Sequence, residues 1–145
     1  MASVIKISQP EDLQKAFKIR QEVFVKEQNV PYPEEFDSYD KIAHHFLAID
    51  QHHCPCGTAR WRVTPNGIKL ERFAVLNSAR GKGVGYQLLK TVMADINKSP
   101  LIQDKLIYLH AQLGVLSLYE KLGFQKTGTL FQECGIDHLK MVYKL

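Results

Sequence analysis

Arg80-Gly81-Lys82-Gly83-Val84-Gly85 lies between a strand-like run, residues 68–76, and a run of helical periodicity from Val84 to Ile96. Three glycines in five positions let the backbone approach a ligand with no Cβ in the way. The amides that follow open a helix, so they lack intrahelical acceptors and point outward. With the positive end of the helix dipole they make an anion site suited to a phosphate or pyrophosphate. Arg80 and Lys82 are expected to add charge at its mouth. Two familiar phosphate loops are excluded by spacing. A P-loop needs Ser or Thr after Gly-Lys, and Gly83 stands there. The dinucleotide fingerprint needs two residues between its second and third glycines, and Val84 alone separates Gly83 from Gly85. The pattern that remains is Arg/Gln-x-x-Gly-x-Gly/Ala, met by Arg80, Gly83 and Gly85. Its bland alternative is a glycine-rich turn before a helix, because short glycine patterns recur by chance.

Composition bounds the reading. A chain of 145 residues holds one complete core, and 45% apolar with 23% charged residues is ordinary for a globular domain. A net charge of +4 fits an anionic ligand, but the basic residues are scattered, so nucleic acid is not implied. No run approaches transmembrane length, and residues 1–6 do not form a signal peptide. The three cysteines are an odd number, and Cys54 and Cys56 are too close to pair. The expectation is a cytoplasmic protein with no membrane partner.

No linker or repeat divides the chain, which predicts a single domain over residues 1–145. Residues 4–7 form a strand candidate. Ser8 and Glu11 have capping-box spacing around Pro10 and predict a helix start. Ala16, Val23, Leu13, Phe17 and Phe24 then fall on one helical face. Pro31 and Pro33 end the regularity, with Glu34, Glu35 and Asp37 as an acidic patch. Strands are expected over residues 43–50 and 58–64, and Pro65-Asn66-Gly67 is a hairpin signal into residues 68–76. The helix after the glycine loop carries Val84, Leu88, Leu89, Val92 and Ile96 on its buried stripe. Residues 105–111 follow as a strand. Another helix buries Val115, Leu118, Tyr119 and Leu122, with Gly123 as C-terminal cap. Short strands at 124–127 and 138–144 finish the chain. The order β-α-β-β-β-α-β-α-β-β predicts an α/β domain with a mixed, largely antiparallel sheet.

That order and the loop together resemble the GNAT N-acetyltransferase superfamily over nearly the whole chain. Residues 70–75, Leu-Glu-Arg-Phe-Ala-Val, stand where the family's central strand binds the pantetheine arm. Residues 119–124 are similar to its tyrosine-x-x-x-glycine-phenylalanine segment. Residues 20–31, His110-Ala111-Gln112 and residues 135–138 resemble the small bacterial YjcF/ElaA-like branch, which has a looser likeness to glucosamine-6-phosphate N-acetyltransferases. The resemblance implies an α/β GNAT fold splayed at the acyl-CoA site and acetyl-CoA as cosubstrate. An amine attacks the thioester and CoA leaves as thiolate. It places the cofactor against Phe73, Ala74, Val75, Arg80, Gly81, Lys82, Gly83, Val84, Gly85, Gln112 and Tyr119. Gln112 departs from the asparagine that many members carry there. The oxyanion donor implied is the Val75 amide. Strand alternation puts Glu71, Phe73 and Val75 on one face, and Leu70, Arg72 and Ala74 on the other.

The leaving thiolate needs a proton, and a phenol can supply it, so Tyr119 is the acid implied; read without the resemblance, it is a core aromatic. An alkyl ammonium is neutral only about once in 10³ at pH 7, so a base matters. Glu71, acting through water, is the first choice, against a plain ion-pair role beside Arg72. His110 and His138 are weaker candidates, and Cys134 reads as a passive thiol. The cluster His52-His53-Cys54-Pro55-Cys56 and the pair His44-His45 lack a standard zinc spacing, so no metal is expected. For the acceptor, Arg20, Phe24, Glu27, Arg72, His110 and His138 are the candidate contacts. Arg20, Arg60 and Arg72 would favour an amino sugar phosphate or amino acid derivative. Glu34, Glu35 and Asp37 would favour a polyamine or basic peptide. Three functions follow: an N-acetyltransferase of a small-molecule amine, a protein or peptide N-acetyltransferase, or a non-catalytic acyl-CoA-binding module. A homodimer is compatible with the resemblance.

Overall fold

The computed structural model describes residues 2–100 and 104–143. Seven strands form one sheet: β1 (Ser3–Lys6), β2 (His44–Ile49), β3 (Pro55–Thr64), β4 (Gly67–Val75), β5 (Ile107–Gln112), β6 (Phe124–Glu133) and β7 (Ile136–Tyr143), in spatial order β1-β2-β3-β4-β5-β7-β6. Every neighbouring pair is antiparallel except β4 and β5, which run parallel because helix α3 (Val84–Lys98) crosses between them. This is a single-domain α/β architecture with a mixed, largely antiparallel sheet, as the order of elements predicts. Among the described residues, no helix is long and apolar enough to cross a membrane.

Each face of the sheet buries its own apolar cluster. On one face, α3 lays Val84, Leu88, Leu89, Val92 and Ile96 against Phe46, Trp61, Ile68 and Leu70, as its 3.6-residue periodicity predicts. Each such side chain contributes about 1.5–3 kcal/mol when fully buried. On the other face, α1 (Pro10–Arg20) packs Ala16 and Ile19 with Val23, Phe24, Leu47 and Ala74. The Pro65-Asn66 turn joins β3 and β4 with Thr64 opposite Gly67.

Several local expectations are corrected. The α1 start has no capping box: Gln9 is the cap residue and no side chain caps it, while Pro10 takes the first turn. Nor does α1 continue as one regular helix. Residues Gln21–Glu27 widen into a π-helical turn, with the Gln28 amide reaching the Val23 carbonyl at 3.1 Å. The extra residue per turn separates Phe17, which packs edge-on to Phe36 at 5.5 Å, from Phe24, which turns toward the sheet. Strands β6 and β7 extend to a two-residue turn at Cys134-Gly135, whose positive φ values of 51° and 75° are those of a primed hairpin turn. The expected end of the last strand, Lys144, lies outside the described residues. Before α4 (Leu116–Glu120), Val115 sits in a 3-10 turn and is 42% exposed, so it is not on the buried stripe; Tyr119 is, and Gly123 turns the chain at φ 101°.

Candidate active site

The site is a gap in the sheet. Strands β4 and β5 pair only at Ile68–Ile107, Lys69–Tyr108 and Leu70–Leu109. Beyond Leu70 a bulge interrupts β4, where the register against β3 jumps between Thr58 and Arg60 and Arg72 takes a left-handed φ of 60°. The extra residue bends the strand away from β5. A pocket of about 820 Å³ opens in the fork, lined by Glu71 to Val75 on one side and by Leu109, His110 and Gln112 on the other. The bulge also corrects the alternation. Phe73 and Val75 pack on the same cluster as Leu70, whereas Ala74 joins the α1 side and Glu71 pairs with Arg60.

The bulge leaves the Val75 amide free of β3. Leu76 donates its amide to the Cys56 carbonyl at 2.9 Å, so these two form a hydrogen-bonded pair. Antiparallel ladders alternate, and the next pair, Gly57–Val75, is therefore non-hydrogen-bonded, with the Val75 N–H directed to the β5 side where the fork is open.

The glycine loop meets the fork from the α3 side. Gly83 is the α3 cap residue at φ 81°, no side chain caps the helix, and Gly81 has φ 76°. A Cβ at either position would meet nothing within 4 Å, so it is the left-handed backbone that calls for glycine there. Gly85 lines the pocket, packed near Leu118 and Val75. Phe73, Ala74, Val75, Arg80, Gln112 and Tyr119 line it too. Gly81, Lys82 and Gly83 lie outside it as an exposed rim, and Val84 is buried in the core. Arg80 is not the open cation expected at the mouth. Its guanidinium grips Glu27, with Nη2 to Oε1 at 2.7 Å, and donates Nε–H to the Val75 carbonyl at 3.0 Å. Glu27 is thereby a partner of the loop and lies outside the pocket. Lys82 keeps an exposed ammonium 3.4 Å from the Ser78 carbonyl.

Tyr119 is 6% exposed, edge-on to Phe73 at 5.8 Å and to Phe124 at 6.1 Å. Among the described residues nothing hydrogen-bonds its hydroxyl, and burial pushes the phenol above its ordinary pKa. Gln112 exchanges two amide hydrogen bonds with Gln28, at 2.9 and 3.3 Å, tying β5 to the π-helical turn across the pocket. Gln28 falls within the 20–31 stretch but is not among the expected contacts, since a glutamine after a helix shows no role until its partner is folded against it.

The side of the pocket that faces α1 is built from charge. Burial would raise the Glu71 carboxyl, but the Arg62 hydrogen bond and the charges of Arg60 and Lys69 outweigh it and hold the group at about 2. A carboxylate so held is a poor proton acceptor. Arg60 is fully buried between Asp37, Asp40 and Glu71, and Arg20, 1% exposed, bonds Glu35 at 2.9 Å and Asp40 at 2.7 Å. Neither lines the pocket, so neither can clamp an anionic acceptor. Arg72 does reach the pocket, yet it is taken up by Asp37 at 3.1 Å and by the Glu35 carboxylate at 3.2 Å. The acidic patch at Glu35 and Asp37 is likewise internal to this network. Only Glu34 stays outside it, accepting the Cys134 thiol at 2.7 Å. That hydrogen bond, followed by burial, pushes the Cys134 thiol up to about 11, which suppresses its thiolate.

Phe24, His110 and His138 line the pocket as well. His110 Nδ1 lies 2.9 Å from Glu133 Oε2, and His138 Nδ1 lies 2.7 Å from the Ile136 carbonyl. Elsewhere, His44 stacks on Trp61 at 3.9 Å and His45 bonds the Asp40 carbonyl at 2.9 Å. Among the described residues no three metal-ligating side chains converge.

Comparison with known proteins is consistent across sequence and structure. A family model described as an acetyltransferase (GNAT) domain matches residues 8–145. The Bacillus subtilis N-acetyltransferase YjcF is 39% identical over 136 residues, covering 91% of this chain and 92% of that protein. Among solved structures, Escherichia coli ElaA superposes with a TM-score of 0.85 at 25% identity, over 99% of this chain and all of its own. An acyl-CoA N-acyltransferase from Pseudomonas aeruginosa gives 0.83 at 25% identity, over 99% of each chain.

Proposed function

The chain belongs to the GNAT acetyltransferase family, and from that premise we propose that it moves the acetyl group of acetyl-CoA directly to the primary amine of a small molecule. The acyltransferase activity and the acetyl-CoA cosubstrate come with the family; the acceptor class and the residue roles are our reading. The observation that carries it is the fork between β4 and β5, which brings a free backbone amide and a buried phenol to one pocket.

In this reading the α3 N-terminal amides and the exposed rim Gly81-Lys82-Gly83 receive the pyrophosphate, and Phe73, Ala74 and Gln112 flank the pantetheine arm. The Val75 amide receives the oxyanion that forms when the amine attacks the thioester carbon. Tyr119 hands its proton to the departing thiolate. Free thiols and phenols differ by about 1–2 pKa units, and a pocket that excludes water raises both, so the gap rather than the absolute phenol value governs the transfer.

A small acceptor is favoured over a peptide by the way the acceptor side is closed. Cys134 in the β6–β7 turn meets Glu34, within the short helix α2 (Tyr32–Glu35), and the two segments bridge across the pocket. An extended chain would have to part them. With Arg20, Arg60 and Arg72 saturated by carboxylates, an anionic acceptor has no ready clamp, which turns the expectation toward neutral or cationic amines.

Calorimetric titration with acetyl-CoA, with desulfo-CoA and ATP as comparators, followed by a panel of polyamines, amino acid derivatives, amino sugar phosphates and a lysine peptide, tests the reading. Saturable acetyl-CoA binding and turnover of a small amine are expected. Preference for the peptide would move the assignment to protein acetylation, and binding without turnover to an acyl-CoA-binding module. Tyr119→Phe should leave acetyl-CoA affinity intact and lower kcat roughly 10²–10³-fold; unchanged kcat would remove Tyr119 from the acid role.

A further inference from the structure

We propose that His110 is the proton acceptor for the incoming amine and that Glu133 orients it, an assignment that rests on the direct-transfer reading above. Leu70 and Leu109 are the last paired residues of β4 and β5, so Glu71 and His110 are the first on each strand beyond the apex of the fork. Both line the pocket, on the face away from α3. Each is the first titratable group on its strand past the point where the sheet opens, and their surroundings are opposite. Glu71 faces three cations, Arg60, Arg62 and Lys69, at 2.5–3.2 Å. His110 faces one carboxylate, Glu133, at 2.9 Å.

An ionised carboxylate only accepts hydrogen bonds, so the 2.9 Å contact makes Nδ1 of His110 the donor. In the neutral ring Nε2 then keeps its lone pair. Imidazole ordinarily titrates near 6.5, closer than any carboxyl to the range where a base can take an ammonium proton at neutral pH. Glu133 is reciprocally affected: the His110 hydrogen bond holds its carboxyl below the usual range. A carboxylate in this place fixes the tautomer and stabilises the imidazolium that forms. The ring is also held sterically, edge-on to Phe131 at 5.0 Å.

The remaining charged and titratable neighbours are accounted for. Across β7, Lys140 stands opposite His110 in register, with its ammonium over the Tyr108 ring at 5.1 Å. His138 approaches Glu133 with Nε2 at 3.7 Å, beyond hydrogen-bond reach, while its Nδ1 is fixed on the Ile136 carbonyl. On β4, Lys69 is committed to Glu71 at 3.2 Å. His138 therefore shares the Glu133 field, and His110 alone has the carboxylate's hydrogen bond.

The step balances. One ammonium proton passes to His110 Nε2, the neutral amine forms its bond to the thioester carbon, the C–S bond breaks, the thiolate takes the Tyr119 proton, and the second nitrogen proton of the adduct leaves to solvent. Solvent then reprotonates Tyr119 and relieves His110.

The test compares the full wild-type chain with His110→Gln and Glu133→Gln. Three quantities are measured: acetyl-CoA affinity by calorimetry, the tautomer of each imidazole by ¹⁵N NMR, and kcat/KM against pH. The acceptor is whichever of putrescine, glucosamine 6-phosphate and a lysine tripeptide turns over fastest. Affinity should be unchanged in both variants. His110→Gln should lose roughly 100-fold in kcat/KM at pH 7 and with it the acid limb of the profile. Glu133→Gln should lose roughly tenfold and move that limb to lower pH, because the imidazolium has lost its counter-charge. The neutral His110 ring should carry its proton on Nδ1 in the wild type and on Nε2 in Glu133→Gln. Retention of turnover within about threefold in His110→Gln, or an Nε2–H ring in the wild type, would overturn the assignment. Failure of the wild type to bind acetyl-CoA would strike the reading beneath it instead.

Discussion

The two halves of the pocket are made of different material. The half that faces α3 is backbone: uncapped helix amides and the Val75 N–H turned out of the ladder, with Gly81 and Gly83 in left-handed conformations on the rim. The half that faces α1 is charge: Glu35, Asp37, Glu71 and Arg72 line it, with Arg20, Asp40 and Arg60 buried behind them, drawn from five separate segments and largely neutralising one another. A backbone site is preorganised by local conformation and needs few partners. A charged site buried in a sheet stands only if every ion is matched, because an unpaired buried charge costs several kcal/mol. Residues that look like ligand contacts in the second half thus prove to be contacts with each other.

This contrast can be broken most severely at Arg60. Arg60→Met leaves Asp37, Asp40 and Glu71 without their common partner and should destabilise the fold by about 3–5 kcal/mol, read from the urea midpoint. A shift under 1 kcal/mol would show that the network is dispensable. Acid probes the same half. Glu71 has a folded-state pKa depressed from 4.5 to about 2, so its contribution is present above pH 4.5 and is lost as pH falls toward 2. That contribution is on the order of 3 kcal/mol. Asp37 and Asp40, whose burial is likewise outweighed by Arg60 and Arg20, move the same way. A flat stability profile from pH 5 to 2 would contradict this account.

The backbone half is sharpened by Gly83→Val, whose Cβ meets nothing within 4 Å but which forces a β-branched residue to φ 81° at the helix start. Acetyl-CoA affinity should fall roughly 100-fold in a protein that still folds, measured by calorimetry. Normal affinity would detach the loop from the cofactor. The smallest effect is expected where the halves touch. Glu27→Gln frees Arg80 at a half-exposed ion pair and should raise acetyl-CoA affinity by about two- to fivefold at low salt, with the gain fading as salt is added. A loss of affinity would mean that the pair holds the loop in its binding shape.

Local signals were legible to the extent that their causes are local. The α3 stripe, the Pro65-Asn66 turn and the Gly123 stop follow from periodicity and backbone freedom within a few residues. Ser8 misled because the chain before Pro10 stays extended and the cap falls on Gln9. Strict alternation failed in β4 because Arg72 is an arginine in a conformation that sequence patterns assign to glycine, and its cost is met by contacts with Asp37 and Glu35 from a distant segment. Glu133 went unseen because β6 was expected to end near Thr127. The signal that could have found it is the Cys134-Gly135 pair closing a hairpin, with Phe131 and Glu133 alternating before it.

The sequence by itself determined the order of elements, the crossover helix and the glycine loop at its start, since hydrophobic period, glycine placement and helix-end chemistry act over single turns and strands. The tertiary structure alone decided which charges are free. Whether Arg20 or Glu71 meets a ligand depends on partners that lie 15 or more residues away for the one, and for the other chiefly on the neighbouring strand β3. Opposite charges in a low-dielectric interior pair wherever folding brings them within reach, and only the fold says which of them meet.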